Sequence, residues 1–152
     1  MKKTNLTKVQ ISTIVENVEL ELLNQPKRQF TEETNWKNHF PDMPGVYAAF
    51  ENSKLIYIGQ TADLRARMSD VRRTYNHTLR KKIGLSKLKG TIIKNKFSDD
   101  IEKKLTNYMV QNISFTFHAL SFGRLEVESK LVSKYNNDAF YNSKSVRGIK
   151  IK

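Results

Sequence analysis

The sequence predicts a small α/β (α+β) domain in which a three-stranded antiparallel sheet is flanked by helices. Two short β-prone runs, at 45–50 and 54–59, are separated by the polar residues 51–53, a connection suited to a hairpin. A later run at 113–120 alternates apolar and polar residues, which is the period of a half-buried strand. These runs supply three strands, and helical patterns around them supply the flanking layers.

Five further segments carry apolar residues at helical spacing. They cover residues 6–23, 61–73, 76–83, 99–112 and 122–135. Thr4 or Thr7 is expected to cap the first helix and Thr61 the second, while Gly84 is expected to interrupt the third. Residues 24–44 contain all three prolines and several aromatic residues, so we expect a connector that packs aromatic side chains onto the domain.

Length and composition limit the domain organisation. At 152 residues the chain is most simply one domain, 44–142, preceded by an N-terminal helix and connector, 1–43, and followed by a basic tail, 143–152. The absence of cysteine excludes disulfides and thiolate metal sites. The N-terminus lacks the apolar core of a signal peptide and no run reaches membrane-spanning length, so we expect a cytoplasmic protein without a membrane partner.

Positive charge is concentrated in one part of the chain. The net charge is +12, yet residues 1–53 carry six basic and seven acidic side chains. Residues 65–96 carry eleven basic side chains and a single acidic one, Asp70. Such a block indicates a polyanionic partner, of which nucleic acid is the commonest, although a solvated surface would have the same composition. An anionic membrane is disfavoured, because the basic residues are not paired with a strong apolar helical stripe.

One carboxylate falls on the apolar side of the last predicted helix. At about 100° per residue, Leu125, Leu131, Val132 and Tyr135 form one arc, and Glu128 lies inside it. Burying an uncompensated charge costs several kcal/mol. Glu128 is therefore expected to pair with a cation, to bind a metal or to lie at the edge of a cleft, and a structural ion pair with an arginine remains open.

An arginine lies beside the apolar side of the helix that follows the hairpin. Leu64, Met68 and Val71 define that side, with Arg67 next to it and Arg65 pointing away. Arg67 is thus placed to reach across the end of the hairpin towards its tyrosines. A surface position or an ordinary ion pair is the alternative for such an arginine.

These residues form an ordered set that resembles the GIY-YIG endonuclease family. Gly45-Val46-Tyr47 matches the first half of the family motif and Tyr57-Ile58-Gly59 the second, with nine residues between them. An arginine ten positions after the first tyrosine of the second half, a glutamate in the late helix and a final asparagine complete the set: Arg67, Glu128 and Asn142. Either half alone is a weak signal, whereas the ordered set, spread over about residues 44–142, is specific.

The resemblance implies a phosphodiesterase with one divalent cation, Mg²⁺ or Mn²⁺, in each active site. Glu128 would hold the metal, a hard oxygen ligand that suits Mg²⁺. Tyr47 would act on the attacking water, Tyr57 would position water or phosphate, and Arg67 would stabilise the charge on the scissile phosphate. A phenol close to such positive charge is expected to ionise more easily than its free pKa of about 10 indicates.

Two further residues are assigned supporting roles by the resemblance. His77 follows the arginine helix and is either a phosphate contact or a helix cap, while Asn142 is the family's terminal asparagine. His39 and His118 show no ligand spacing with His77, so zinc is not expected. The chain departs from the family by having Gln60 where the excision-repair branch often has lysine, and by lacking the usual proline between the glutamate helix and the asparagine.

The leading hypothesis is a metal-dependent DNA endonuclease whose basic block contacts the nucleic-acid backbone. The expected contacts are Arg72, Arg73, Arg80, Lys81, Lys82, Lys87 and Lys89. A catalytically silent module that holds DNA or RNA is the main alternative, and a basic protein of a ribonucleoprotein is a third. Restriction, mobile-element and repair roles all remain open, and the helix at 6–23 is a candidate dimer surface.

Overall fold

The computed structural model describes residues 7–136 and 140–142. It confirms an α+β fold with an antiparallel sheet between helices, and the sheet has four strands rather than three. The strands are β1 (Arg28–Gln29), β2 (Gly45–Glu51), β3 (Lys54–Thr61) and β4 (Ile113–Ala119), in the order β1-β4-β2-β3. The extra strand, β1, is a two-residue edge strand inside the predicted connector, where it pairs with β4.

The hairpin of β2 and β3 closes through two residues instead of the expected three. Asn52 and Ser53 both have positive φ, 51° and 76°, which is the backbone of the tight turns that match strand twist. Glu51 pairs with Lys54 beside this turn, and a β-bulge follows further along the ladder, where Ile56 has no partner of its own.

All five predicted helices are present; the fourth has the predicted bounds, and the others have shifted ends. They are α1 (Lys8–Asn24), α2 (Leu64–Asp70), α3 (Thr78–Lys87), α4 (Asp99–Asn112) and α5 (Arg124–Tyr135), with 3₁₀ helices at Thr34–His39 and Thr74–Asn76. Thr7 caps α1 through a capping box, as predicted. The predicted cap of α2 at Thr61 is wrong, because the Asp63 side chain accepts the Ala66 N–H there.

Gly84 does not interrupt α3, contrary to the prediction. A Cβ atom at this position would lie 2.3 Å from the ring of Phe97, which packs against the helix. The glycine therefore serves close packing rather than helix termination. A glycine inside a helix costs about 1 kcal/mol relative to alanine, yet α3 continues past Gly84 to Lys87.

Helices cover both faces of the sheet. Along β2, Tyr47 and Ala49 face the cluster built with α2, α3, α4 and the first 3₁₀ helix, while Val46, Ala48 and Phe50 face α1 and α5. Both faces of the first half of β4 are also buried, so its polar positions 114 and 116 are enclosed rather than exposed, contrary to the half-buried pattern. Tyr47 of β2 and Tyr57 of β3 therefore point towards the layer formed by α2, α3 and α4, whose side chains can form hydrogen bonds with them.

The segment 140–142 extends the sheet along the free edge of β3. The Tyr141 N–H donates to the Ile56 carbonyl at 2.7 Å, and Asn142 bonds to the backbone of Ile58. This contact covers the edge strand, which would otherwise expose unpaired backbone groups.

Residues 1–6 and 137–139, with the predicted basic tail at 143–152, lie outside the described part of the chain. Among the described helices, none has the length and apolar character needed to cross a membrane.

Candidate active site

The Tyr47 ring lies in the core against Gly59, its partner on the neighbouring strand. Tyr47 of β2 pairs with Gly59 of β3, and only 1% of its surface is exposed. A Cβ atom at position 59 would lie 2.3 Å from Cζ and 2.4 Å from Oη of Tyr47. Glycine is therefore required at position 59 for a steric reason, since any side chain there would displace the Tyr47 ring.

The Tyr47 hydroxyl lies within hydrogen-bonding distance of a histidine and an arginine. Its oxygen is 3.1 Å from His77 Nε2 and 3.4 Å from Arg67 Nε. The other His77 nitrogen, Nδ1, accepts a 3.2 Å bond from the Leu79 N–H, so neutral His77 carries its proton on Nε2. Both neighbours are then donors to Tyr47. The Tyr57 ring lies alongside, with its centroid 6.1 Å from that of Tyr47.

His77 is held in place by the start of α3. It is the N-cap of this helix and its side chain accepts a backbone N–H of the first turn. Burial, and after it the charges of Arg67 and Arg80, lowers the pKa of His77 well below its ordinary value. Of the two roles that the sequence left open, the structure shows the helix cap, and it adds a bond to Tyr47.

Arg67 is oriented by acceptors on two sides. Its Nη1 donates to the Asn76 carbonyl at 2.8 Å and lies 3.5 Å from a carboxylate oxygen of Asp70. Its Nε points to Tyr47, and 26% of the side chain remains exposed. The guanidinium is therefore held beside Tyr47 and remains partly open to a bound anion.

The protein environment keeps the Tyr47 phenol neutral. Burial raises the pKa of Tyr47 well above its ordinary value, and Tyr57 adds to this rise, while Arg67 lowers it by a smaller amount. The sequence analysis expected nearby positive charge to favour ionisation. The protein groups alone shift the pKa in the opposite direction, because the loss of water around the phenol outweighs the attraction of the guanidinium.

Glu128 lies beside the buried stripe of α5 and close to the second tyrosine. The buried residues of α5 are Val127, Leu131 and Val132, whereas Leu125, predicted to be buried, is 61% exposed. Glu128 is half-buried at the border of this stripe. Burial raises the pKa of Tyr57 and the charge of Glu128 raises it further, which indicates that the carboxylate lies near this ring.

The donor set around Glu128 fits a hydrated magnesium ion. Within residues 7–136 and 140–142, no group of three or more His, Asp or Glu side chains could enclose a metal. Mg²⁺ commonly keeps several waters and binds through one or two carboxylates together with substrate phosphates. A single half-buried carboxylate near a tyrosine is consistent with that mode of binding.

The comparison with known families identifies this arrangement. The family model of the GIY-YIG catalytic domain matches residues 32–139. The chain belongs to the GIY-YIG family. The match covers well over half of the sequence, including both tyrosine motifs, Arg67, His77 and Glu128, and it confirms the resemblance drawn from the motifs. GIY-YIG domains are nuclease domains, so nucleic acid is the class of partner that membership implies. No curated protein and no solved structure matches the chain.

Asn142 holds the backbone of the second GIY-YIG half-motif. The Ile58 N–H donates to Asn142 Oδ1 at 2.8 Å, and Asn142 Nδ2 donates to the Ile58 carbonyl. The amide thus pairs with both backbone groups of the residue between Tyr57 and Gly59. Its buried position, 4% exposed, agrees with a role in fixing β3.

Arg80, expected on the nucleic-acid surface of the GIY-YIG domain, belongs to the core instead. It is 2% exposed, and its Nη2 lies 3.1 Å from Glu102 Oε1 and 2.8 Å from Thr106 Oγ1. Its Nε donates to Thr74 Oγ1 at 3.2 Å. Arg80 therefore joins α3 to α4, and this correction removes it from the expected backbone contacts.

The other six basic residues keep some exposure. Arg73, Lys87 and Lys89 are exposed, while Arg72, Lys81 and Lys82 are half-buried. Burial lowers the pKa of Lys82, and Lys87 Nζ lies 3.7 Å from Glu51 Oε2. These six remain available to a nucleic-acid backbone. Sequence reasoning missed one contact between residues distant in sequence, the bond between Arg124 and Gln60.

Proposed function

We propose that this GIY-YIG domain is a divalent-metal-dependent DNA endonuclease that hydrolyses phosphodiester bonds. The observation that carries the proposal is the buried Tyr47 hydroxyl, held between His77 Nε2 and Arg67 Nε. A neutral histidine, an arginine and a phenol joined in this way have no obvious value for stability alone. They form a polar network beside the half-buried carboxylate of Glu128, which is the composition that phosphate chemistry requires.

Arg67 is assigned to the scissile phosphate. Its Nε and Nη1 lie against Tyr47, Asn76 and Asp70, and 26% of the side chain is exposed. A partly exposed guanidinium at this place can donate to the phosphate oxygens as they gain negative charge in the transition state. When Arg67 turns towards the phosphate, its 3.4 Å contact to Tyr47 is given up.

Tyr47 and Tyr57 are assigned to the attacking water. The water takes the acceptor position on the Tyr47 oxygen that Arg67 has released, and its oxygen then bonds to phosphorus. One water proton passes to Tyr47 while the Tyr47 proton passes to the neighbouring Tyr57, which returns a proton to solvent. The bond from phosphorus to the leaving sugar oxygen breaks, and that oxygen takes up a proton from solvent. This relay suits two tyrosines that the protein keeps neutral, since neither needs to ionise beforehand.

Glu128 is assigned as the protein ligand of one Mg²⁺ or Mn²⁺ ion. When bound, the cation supplies positive charge that offsets the negative charge developing on the phosphate. His77 donates to the Tyr47 oxygen and fixes its orientation, and Asn142 fixes the strand that carries Tyr57. The exposed basic residues on α3 and the following loop supply the electrostatic attraction to the backbone.

Cleavage of plasmid DNA in the presence of Mg²⁺ tests this proposal. Glu128→Gln and Arg67→Gln should each lower the cleavage rate at least about 100-fold, and chelation with EDTA should abolish it. Glu126→Gln is the matched control, since Glu126 is an exposed carboxylate on the same helix. Undiminished cleavage by Glu128→Gln would reject the assignment of the site.

A binding module of the same fold is the second candidate, and one observation favours it. The Tyr47 oxygen is almost inaccessible and already accepts two hydrogen bonds. DNA or RNA binding without metal-dependent cleavage of duplex, nicked, branched and single-stranded DNA would support this candidate. The products on those substrates would also separate restriction, mobile-element and repair roles, and sedimentation would test a homodimer through the exposed side of α1.

A further inference from the structure

Arg124 is a cation that the fold orients but does not neutralise. It is the first residue of α5, and its Nε donates to Gln60 Oε1 at 2.9 Å. Its Nη1 lies 3.5 Å from the Ser121 carbonyl oxygen. Within residues 7–136 and 140–142, Arg124 makes no ion pair and its Nη2 makes no hydrogen bond. It differs in this respect from the other two arginines of the site region, Arg67 and Arg80, which both face carboxylates.

The position of Arg124 places it beside the proposed catalytic groups. It precedes Glu128 by four residues, so the two side chains leave the same face of α5 about 6 Å apart along the helix axis. Its partner Gln60 directly follows Gly59, the residue on which the Tyr47 ring rests. Arg124 is thus anchored at the rim of the site from the strand that carries Tyr57 and Gly59.

The bond to Gln60 has a chemical consequence. An arginine four residues from a glutamate would ordinarily pair with it, and such a pair would cancel the charge of both groups. Gln60 is neutral, so it fixes the Arg124 guanidinium without cancelling its charge. An oriented, charged guanidinium with a free Nη2 is suited to the oxygens of a phosphodiester.

We propose that Arg124, held by Gln60, is a positioning residue that binds a backbone phosphate of DNA next to the phosphate that is cut. This inference rests on the proposed function, because it assumes that the DNA strand passes Glu128. Arg67 and Arg124 come from helices on opposite faces of the sheet, α2 and α5. A strand held by both arginines therefore crosses the end of β3, with the scissile phosphate at Arg67 and the neighbouring phosphate at Arg124.

The test compares DNA binding and cleavage by the full chain and four variants. The variants are Arg124→Gln, Arg124→Lys, Gln60→Ala and the control Lys130→Gln. Lys130 is an exposed cation of α5 that lies on the side of the helix facing α1. Binding of a short duplex is measured in EDTA over a series of KCl concentrations, and cleavage of the same duplex is measured with Mg²⁺. Thermal unfolding of each variant verifies that it is folded.

Arg124→Gln is expected to weaken binding in EDTA about tenfold. The slope of log affinity against log salt should fall by about 0.9, the value for one phosphate contact on duplex DNA. In cleavage, KM should rise with kcat unchanged, because the contact is made equally in the ground and transition states. Lys130→Gln should leave the affinity, the slope and both kinetic constants unaltered.

The two other variants separate charge from orientation. Arg124→Lys should keep the salt slope but bind DNA more weakly than the parent, since an ammonium group cannot use the Nε contact to Gln60. Gln60→Ala should also keep the slope and lose affinity, because the charge remains and its anchor is removed. An Arg124→Gln protein that folds and retains the parental slope and affinity overturns the proposal, as does an equal effect of Lys130→Gln. Since the slope is measured without Mg²⁺, this result stands even if no variant cuts DNA.

Discussion

Replacement of Gly59 by alanine gives the sharpest test of how the fold prepares the site. The new Cβ atom would lie 2.3 Å from Cζ and 2.4 Å from Oη of Tyr47, well inside the 3.0 Å that such contacts keep. The ring cannot move into solvent, because Tyr47 is enclosed. It must therefore shift by most of an ångström and lose its contacts with His77 and Arg67, whereas no catalytic side chain has been altered.

Gly84→Ala provides a control of equal steric severity. Its Cβ would lie 2.3 Å and 2.5 Å from two ring atoms of Phe97, far along α3 from the tyrosines. Overpacking of this kind costs about 1–3 kcal/mol of unfolding free energy, and we expect a loss in that range from both variants. A misplacement of about 1 Å can reduce a catalytic rate about 100-fold, so Gly59→Ala alone should lose cleavage to that extent.

Urea unfolding measures the stability of both variants, and plasmid cleavage per folded molecule measures their activity. The ¹⁵N chemical shift of His77 Nε2 provides a readout that does not depend on catalysis, because it should change in Gly59→Ala and not in Gly84→Ala. The reasoning is refuted if Gly59→Ala, folded, keeps the parental His77 shift and cuts DNA as well as Gly84→Ala does.

Three further predictions concern buried polar groups. Arg80→Gln should lower the unfolding free energy by about 3 kcal/mol in urea, because Glu102 loses its partner, while the salt slope of DNA binding stays parental. His77 has a depressed folded pKa, so the unfolded chain alone gains its proton as the pH falls through about 6.5, and the stability it confers is present above that pH and lost below it. Between pH 8 and 5.5 the parent should therefore lose about 1 kcal/mol more stability in urea than His77→Asn. Asn142→Ala should lower the thermal midpoint, with a loss of about 1–3 kcal/mol, because it leaves the buried backbone groups of Ile58 unpaired.

The parts of the site that are close in sequence could be predicted from the sequence. Tyr47, Tyr57 and Arg67 lie on a hairpin and the helix directly after it, so the sequence places them close together, although strand alternation alone does not set the face on which Tyr57 lies. The edge strand β1 could not be predicted in this way. It consists of two residues, Arg28 and Gln29, whose extended conformation is defined only by pairing with a strand more than eighty positions later.

The burial of some residues was predicted wrongly because it depends on contacts between residues that are distant in the sequence. Arg80, Lys81 and Lys82 are consecutive basic residues and look equivalent in the sequence. Only the packing of α4, which brings Glu102 against Arg80, makes the first of them a core residue. The phase of α5 was misjudged for a similar reason, because Leu125 and Val127 are both apolar and the sheet determines which one is buried.

The β-bulge explains how a two-residue turn can coexist with two tyrosines on one face. Next to the turn, Glu51 pairs with Lys54, and this register continued along the ladder would set Tyr57 opposite Ala48, on the face covered by α1 and α5. The unpaired Ile56 shifts the register by one residue, so that Tyr57 pairs with Ala49 and Gly59 with Tyr47. A shift of one residue exchanges the faces of a strand. Because of this single extra residue, both tyrosines point towards α2 and α3, where Arg67 and His77 are. The same shift places Gly59 directly opposite Tyr47, so that the Tyr47 ring packs against a residue without a side chain.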